Sequence, residues 1–558
     1  MKNRLLLTSV FLAALLIFDA RASVTTGCLQ STAEARSGVA IQAADPPSLE
    51  QDKPIERELA GGESHSYRLI LASGQYARVA VDQRGINVAV LAFDPDGKKI
   101  AEANETNIGD SELVPFITGT AGAYRLEVRS PDKSASKGRY EIKVKDLRAA
   151  TEQDKSQVAA ERLIAEGIQL ESQPTRETML KVIEKFQQSI PLCRAAKDPA
   201  CEAIALYLIS DVYVYLGEKQ KALDFSNQAL PLAQAAAKQP DQEQRRMGLK
   251  VEANTLMYIG RAHNEFGETR KALEFFNQAL PLWQAVGDRT GEATTLGNIG
   301  AAYQFLGEYQ KAFDIFKLSL LIARELRDRQ REGTLLNNIC VIHNSMGQYE
   351  KAIDSCNQAL SIRRELKFQL GEATTLNNLA NNYSDLGEYQ KALDFYTRSH
   401  ASYEVIGSRS GQGVALNNIG RAYATLGEYE KATGFYNQAL EIFRAEGDQY
   451  REANVLGNMA ANFADMGDFQ KALEINQQVL PLRRAQDNRA GEAITLNNIA
   501  YNYSHLGDKQ KAIDYYNQSI ALHRKVGDPG HLATALRNIG ALYRDLGENQ
   551  RALDYFYE

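Results

Sequence analysis

Leu296-Gly297-Asn298-Ile299-Gly300-Ala301-Ala302-Tyr303-Gln304-Phe305-Leu306-Gly307-Glu308-Tyr309-Gln310-Lys311-Ala312-Phe313-Asp314-Ile315-Phe316 holds two helical patterns separated by one glycine. The glycine ends the first helix. Its register returns at Gly347, Gly387, Gly427, Gly467, Gly507 and Gly547, and backwards at Gly267, always 40 residues apart, with one 50-residue step to Gly217. Five residues after each of the nine glycines stands an alanine, from Ala222 and Ala272 to Ala512 and Ala552. Four residues before each stands a large side chain: Tyr213, His263, Tyr303, His343, Tyr383, Tyr423, Phe463, Tyr503 and Tyr543. A methyl group at a fixed place lets two helices approach closely while the large partner fills the adjoining space, which describes an antiparallel helix pair. Nine residues after the glycine, Phe276, Phe316, Tyr396, Tyr436, Tyr516 and Phe556 add an aromatic ladder that one pair would leave wet and stacked pairs would bury. With a degenerate pair over 160–169 and 181–195, the reading gives about ten helix pairs over 153–558, the last incomplete.

A segment of the form Leu-Asn-Asn-Ile-Gly-x-x-Tyr followed by Leu-Gly-Glu-Tyr-x-Lys-Ala-x-x-x-Tyr/Phe resembles the tetratricopeptide repeat, in the lengthened 40-residue class found in kinesin light chains and many bacterial proteins. The resemblance implies an all-α superhelix, an α-solenoid. His263, His343, Cys356 and Asn476 depart from uniform core packing. Pro191, Pro231, Pro281 and Pro481 recur inside otherwise helical runs, and two readings stand open: a kinked second helix, or a helix end followed by a short helix.

Ahead of the repeats the period changes. Tyr67/Leu69/Leu71, Val79/Val81, Val88/Val90, Tyr124/Leu126/Val128 and Tyr140/Ile142/Val144 alternate with period two, and Ser73-Gly74, Arg84-Gly85 and Asp94-Pro95-Asp96-Gly97 supply turns. A small antiparallel β-sandwich over 53–147 follows, with Asp94 and Asp96 read as turn residues rather than calcium ligands. The chain as a whole is therefore multidomain: a small all-β sandwich followed by an all-α array.

The first residues carry an export pattern: Lys2 and Arg4, an apolar run over 5–18, and Ala20-Arg21-Ala22 before a cut at Ser23. Residues 1–22 are expected to be a signal peptide and 23–52 a flexible tether. Thr25-Thr26-Gly27-Cys28 weakly resembles a bacterial lipoprotein site, which makes Cys28 a candidate lipid anchor. The apolar run is short for a membrane span, so no stable transmembrane segment is expected after cleavage, and the chain is expected to be periplasmic or extracellular. Of the five cysteines, Cys193 and Cys201 can meet across a short connection, and Cys340 and Cys356 sit on facing helices of one repeat. Export permits disulfides, but buried thiols are the preferred expectation.

A net charge of −6, from 64 basic and 70 acidic residues, gives no basic field for nucleic acid. No phosphate-binding loop, zinc-protease helix, nucleophile elbow or clustered Cys/His spacing occurs, so no catalytic, cofactor or metal site is expected. His65, His400, His523 and His531 read as isolated residues.

The functional signal is an asparagine ladder: Asn298, Asn338, Asn378, Asn418, Asn458, Asn498 and Asn538, one per repeat on the same side of each first helix. The family resemblance implies that such a ladder lines a concave face and grips the backbone of an extended peptide. Independently, an amide offers both donor and acceptor to a peptide backbone. The competing role is structural, with the ladder bonding the next repeat. Asn381, Arg421, Tyr501 and His505 belong to the expected peptide-binding groove, and Asn337, Asn377, Asn417, Asn497, Arg537 and Arg544 are expected to add selectivity.

Ser66-Tyr67-Arg68-Leu69, Phe93-Asp94-Pro95-Asp96-Gly97-Lys98 and Gly122 to Ser130 resemble the bacterial pre-peptidase C-terminal type β-sandwich. Joined to lengthened repeats, the layout resembles the N-terminal portion of bacterial, often cyanobacterial, proteins ending in a caspase-like CHAT domain, whose His/Cys pair has no counterpart here. The expected function is a non-enzymatic exported scaffold for extended peptide or protein segments. The alternatives are the regulatory region of a longer CHAT peptidase, and carbohydrate or envelope binding through the β-sandwich. The last repeat, ending on Tyr555-Phe556-Tyr557, is further expected to favour association.

Overall fold

The computed structural model describes residues 46–104, 111–131, 136–171 and 175–558. The expected signal peptide, Cys28 and most of the tether lie outside the described residues. Two compact units divide between Asp328 and Arg329.

The first unit opens with eight strands: β1 Ile55–Leu59, β2 Ser64–Leu71, β3 Gln75–Arg84, β4 Ala89–Phe93, β5 Lys99–Ala103, β6 Ser111–Ile117, β7 Gly122–Arg129 and β8 Gly138–Ala149. They form two four-stranded antiparallel sheets, β1-β8-β3-β6 and β2-β7-β4-β5. The period-two residues Tyr67, Leu69, Val79, Val81, Leu126, Val128, Ile142 and Val144 all point into one shared core, as a sandwich requires. β6 carries Pro115, which is tolerated because β6 is an edge strand. The Asp94 carboxylate caps its own turn, accepting from Asp96 N at 3.1 Å and Lys98 N at 2.8 Å, with Gly97 at φ 82°. These bonds are those of an ordinary turn.

The same unit continues with helices α1 Glu152–Leu170, α2 Arg176–Ala195, α3 Pro199–Tyr215, α4 Lys219–Ala236, α5 Gln242–Glu265, α6 Thr269–Val286, α7 Arg289–Phe305 and α8 Tyr309–Glu325. Most of the residues that lengthen the 50-residue step extend α5 to 24 residues. The second unit holds α9 Arg329–Ser345, α10 Tyr349–Glu365, α11 Gln369–Asp385, α12 Tyr389–Val405, α13 Arg409–Thr425, α14 Tyr429–Glu446, α15 Gln449–Asp465, α16 Phe469–Ala485, α17 Arg489–Leu506, α18 Lys509–Val526, α19 Pro529–Asp545 and the nine-residue α20 Asn549–Tyr557. A regular repeat is two helices of 17 residues and two three-residue connections, which accounts for the period of 40.

Each repeat glycine closes its first helix in the left-handed region; Gly307, at φ 75°, donates to Gln304 O, and Glu308 N to Tyr303 O. The alanine five residues later is buried in every repeat. Where the next helix offers a ring, the aromatic residue four before the glycine stacks on it, as Tyr383 does on Phe395 with centroids 5.3 Å apart and Tyr423 on Phe435 at 5.4 Å. The small residue of the first helix has the same geometric cause: a Cβ on Gly420 would come within 2.8 Å of the Tyr436 ring. α2, α4, α6 and α16 run through Pro191, Pro231, Pro281 and Pro481, which removes the reading of a helix end at those prolines.

Both cysteine pairs are disulfides, correcting the expectation of buried thiols. Cys193 and Cys201 bridge the α2–α3 connection with Cα atoms 5.5 Å apart, and Cys340 and Cys356 join α9 to α10 at 5.3 Å. Adjacent antiparallel helices bring both pairs within the range a disulfide spans. His523 and His531 are likewise not isolated: their rings stack across the α18–α19 turn at 5.6 Å, with Asp528 Oδ2 2.7 Å from His531 Nδ1.

Candidate functional site

The first helices of the second unit carry the asparagine ladder, and the structure gives most of its members a specific partner. Asn378 Nδ2 donates to Asn337 Oδ1 at 3.0 Å, Asn418 to Asn377 at 3.0 Å, Asn458 to Asn417 at 3.0 Å and Asn538 to Asn497 at 3.2 Å. Each bond reaches back 41 residues, from one first helix to the preceding one. The rule is strict: wherever that earlier position is asparagine, the bond forms. Asn498 faces Gly457 there, and in the first unit Asn298 faces Met257, so neither has such an acceptor. Of the two roles open in the sequence, these bonds belong to the structural one, with a side-chain amide as partner in place of backbone.

Burial varies along the ladder. Asn338, Asn378 and Asn418 are buried, whereas Asn298, Asn458, Asn498 and Asn538 are half-buried. The acceptors Asn337 and Asn377 are 0% and 3% exposed, which corrects their assignment as selectivity residues: a side chain with no surface cannot touch a ligand. Asn337 also accepts from Thr375 Oγ1 at 3.2 Å, so it ties two residues of α11 to α9. The Asn378–Asn337 bond ties the two repeats together, while Asn337 Nδ2 and Asn378 Oδ1 are buried without a hydrogen-bond partner among the described residues.

One turn further along the same helices the side chains are open. Asn381 on α11 and Arg421 on α13 are half-buried, and Tyr501 and His505 on α17 are exposed. Tyr396 OH on α12 donates to Asn381 Oδ1 at 2.5 Å, and Arg421 Nη2 reaches Asn381 Oδ1 and Tyr396 OH at 3.4 Å each. Beside them Asn344 Nδ2 donates to Asp385 Oδ2 at 2.7 Å and to Asn382 Oδ1 at 3.1 Å. Burial pushes the Asp385 carboxyl above its usual range, against the hydrogen bond from Asn344 and the positive charge of Arg421. Asn382 Nδ2 in turn lies 3.3 Å from Cys340 Sγ, so the α9–α10 disulfide abuts this polar network.

Further along, the His505 ring stacks on Phe469 of α16 at 4.2 Å, and Tyr501 meets His505 at 4.5 Å, tilted by 58°. Three rings thus form an open aromatic corner. Tyr396, Asp385, Asn344 and Phe469 are the members that sequence reasoning did not place in the site. Tyr396 stands in the aromatic packing ladder; Phe469 stands at the start of a second helix, 36 residues before His505, a spacing that repeats in Tyr349 and Asp385.

Among the described residues no group of three or more His, Cys, Asp or Glu side chains suits a metal ion. Cys356, on the helix that follows His343, is buried and disulfide-bonded. No described helix is long and apolar enough to cross a membrane.

Comparison with curated proteins gives no match. Among solved structures, the chain is similar to BtubC (BKLC) from P. vanneervenii, 21% identical over 40% of this chain and 90% of that one, with a TM-score of 0.34. It is similar to a Rap protein complexed with competence and sporulation factor, 14% identical over 67% and 99% at a TM-score of 0.45, and to the apo quorum sensor NprR from B. thuringiensis, 14% identical over 66% and 98% at 0.44. A tetratricopeptide repeat model matches residues 251–325, 331–404, 411–485 and 491–558, more than half of the sequence in four successive blocks. With helix pairs of the same period throughout those blocks, the chain belongs to the tetratricopeptide repeat family.

Proposed function

We propose that the chain is an exported, non-enzymatic scaffold that holds an extended peptide or protein segment along its first-helix face. The observation that carries this reading is the division of labour among polar residues there. Asn337, Asn377, Asn378 and Asn418 are consumed between repeats and stiffen the array. Asn381, Arg421 and Tyr501 occupy one shared repeat position, with His505 a turn beyond Tyr501, and present donors and rings that packing does not require. A linear array of open side chains on a rigid support suits a linear ligand, whose backbone supplies a donor and an acceptor at every residue. Export is supported by the leader pattern over 1–22 and by two disulfides, which persist in oxidising compartments.

The test is capture of a randomised decapeptide library on the immobilised full chain. Changing Asn381, Tyr501 and His505 together to alanine is expected to cut peptide recovery about tenfold or more, a loss of roughly 1.4 kcal/mol of binding, with helicity unchanged. Asn378 and Asn418 do not serve this purpose, because their loss breaks inter-repeat bonds. Undiminished recovery by the triple variant refutes the assigned face.

A further inference from the structure

At Asn476, on α16, the aromatic ladder of the second helices gives way to an amide. In regular repeats the ladder ring shares a core with the residue five before the next glycine: Phe276 with Ala302, and Tyr396 with Ala422. The same register sets Asn476 against Asn502 on α17, so an amide stands on both sides of a contact that is apolar elsewhere. Neither reaches the surface: Asn476 is 2% exposed and Asn502 1%.

Their hydrogen bonding is incomplete. Asn476 Nδ2 donates to Ala472 O at 3.0 Å, but Asn476 Oδ1 and both amide atoms of Asn502 are buried without a hydrogen-bond partner among the described residues. Two other first helices carry asparagine at the place of Asn502, and there the Nδ2 donor finds protein. Asn382 donates to Asn378 O at 2.7 Å and lies 3.3 Å from Cys340 Sγ, 42 residues earlier. Asn462 donates to Tyr429 O at 3.0 Å and to Thr433 Oγ1, 29 residues earlier, at 2.9 Å. Counting back the same distances from Asn502 gives Ala460 and Leu473, which offer no side-chain acceptor.

An amide left dry and unpartnered in a core is costly, so a partner from outside the chain is called for. It must accept from Asn502 Nδ2 and donate to the oxygens of Asn476 and Asn502. It must also be small, because none of these atoms has accessible surface. Asparagine is much smaller than a ladder ring, while Asn502 takes up part of the difference by replacing an alanine; what remains suits one water, whose share of liquid volume is about 30 Å³.

We propose that Asn476 and Asn502 form a buried water site between α16 and α17, the water standing in the ladder where other repeats place a ring. The site is independent of what the first-helix face binds.

The first arm of the experiment is a crystal structure of the full chain at a resolution that shows ordered waters. An isolated water within hydrogen-bond distance of both amides is expected. The second arm is hydrogen exchange of the α16 and α17 amides. Asn502→Leu introduces the residue that stands at this register in the next repeat, Leu542. If the site is hydrated, this change removes two of the water's three partners and is expected to speed opening about fivefold or more. If the amide is dry, the same change removes two unsatisfied atoms and slows opening. The double change Asn476→Phe and Asn502→Ala, which copies the Phe276–Ala302 pair, is expected to expel the water and bring exchange back to the unaltered rate or below it. Absence of the water from the unaltered chain, a direct bond between the two amides, or an Asn502→Leu chain that opens no faster than the unaltered one overturns the site. A double variant that opens as fast as Asn502→Leu overturns the pairing of the two residues.

Discussion

The asparagine ladder has a gap that can be filled. At Gly457, on α15, the acceptor present at Asn337, Asn377, Asn417 and Asn497 is missing, and Asn498 on α17 has no amide to meet. A Cβ built on Gly457 meets nothing within 4 Å, so Gly457→Asn enters without a clash. Replacing a mid-helix glycine recovers a few tenths of a kcal/mol of helix propensity. The new bond would run from Asn498 Nδ2 to the amide oxygen introduced at position 457, matching bonds of 3.0 and 3.2 Å elsewhere in the ladder. Such a bond adds about 0.5–1.5 kcal/mol. Ordering the new side chain offsets part of this, and about 1 kcal/mol of net stabilisation is expected. Repeat arrays need not unfold in one step, so the readout is hydrogen exchange of the α15 and α17 amides, where about 1 kcal/mol is about fivefold slower opening. Repeating the change in an Asn498→Ala background isolates the bond. A coupling below about 0.3 kcal/mol, the scatter of independent sites, refutes the structural reading of the ladder.

Enlarging Ala392, fully buried against Ala380, Tyr396, Ile419 and Ala422, to leucine is expected to cost about 1–3 kcal/mol by overpacking; an unchanged unfolding temperature contradicts the close helix contact. Removing the Cys340–Cys356 bridge, which spans 16 residues, with the double change to alanine is expected to cost about 3 kcal/mol, and equal stability of the two proteins would show that the bridge does not restrain α9 and α10. Burial holds His523 below the ordinary histidine range, with Asp528 opposing and His531 reinforcing the shift. The unfolded chain thus takes the proton first, so the contribution of His523 is fully present above about pH 7 and is lost as pH falls through about 6.5 toward the lower folded value. His523→Leu should flatten that dependence in hydrogen exchange of α18, and an unaltered pH profile would remove His523 as its source.

The helical array was legible because its geometry imposes small residues at fixed places: a glycine that must turn left-handed after each first helix, and an alanine where two helices touch. The sandwich was legible only in part. β2, β3, β4, β7 and β8 announce themselves by apolar alternation, β2 although it is an edge strand, whereas β1 and β5 are short polar edges and the buried alternation of β6 is masked in sequence by Glu112 and Pro115. The ladder was visible as a spacing of 40, but the spacing does not say which way an amide turns. The partner 41 residues earlier is equally present in the sequence, and Asn337 became intelligible only once it was found buried between α9 and α11. Arg421 was readable as a groove residue, but its bonds to Asn381 and Tyr396 had to be seen. The cysteine pairs carried no distance, and the helix contacts that bring them together had to be seen.

The central claim, that the first-helix face receives an extended segment while the buried ladder holds the repeats, is tested most directly by a structure of the full chain with a peptide recovered from the library. The account predicts the peptide running past Asn381, Arg421, Tyr501 and His505, with the Asn378–Asn337 and Asn418–Asn377 bonds intact. A peptide seated on the second helices or on the β-sandwich, or ladder amides turned away from one another to grip it, would contradict it.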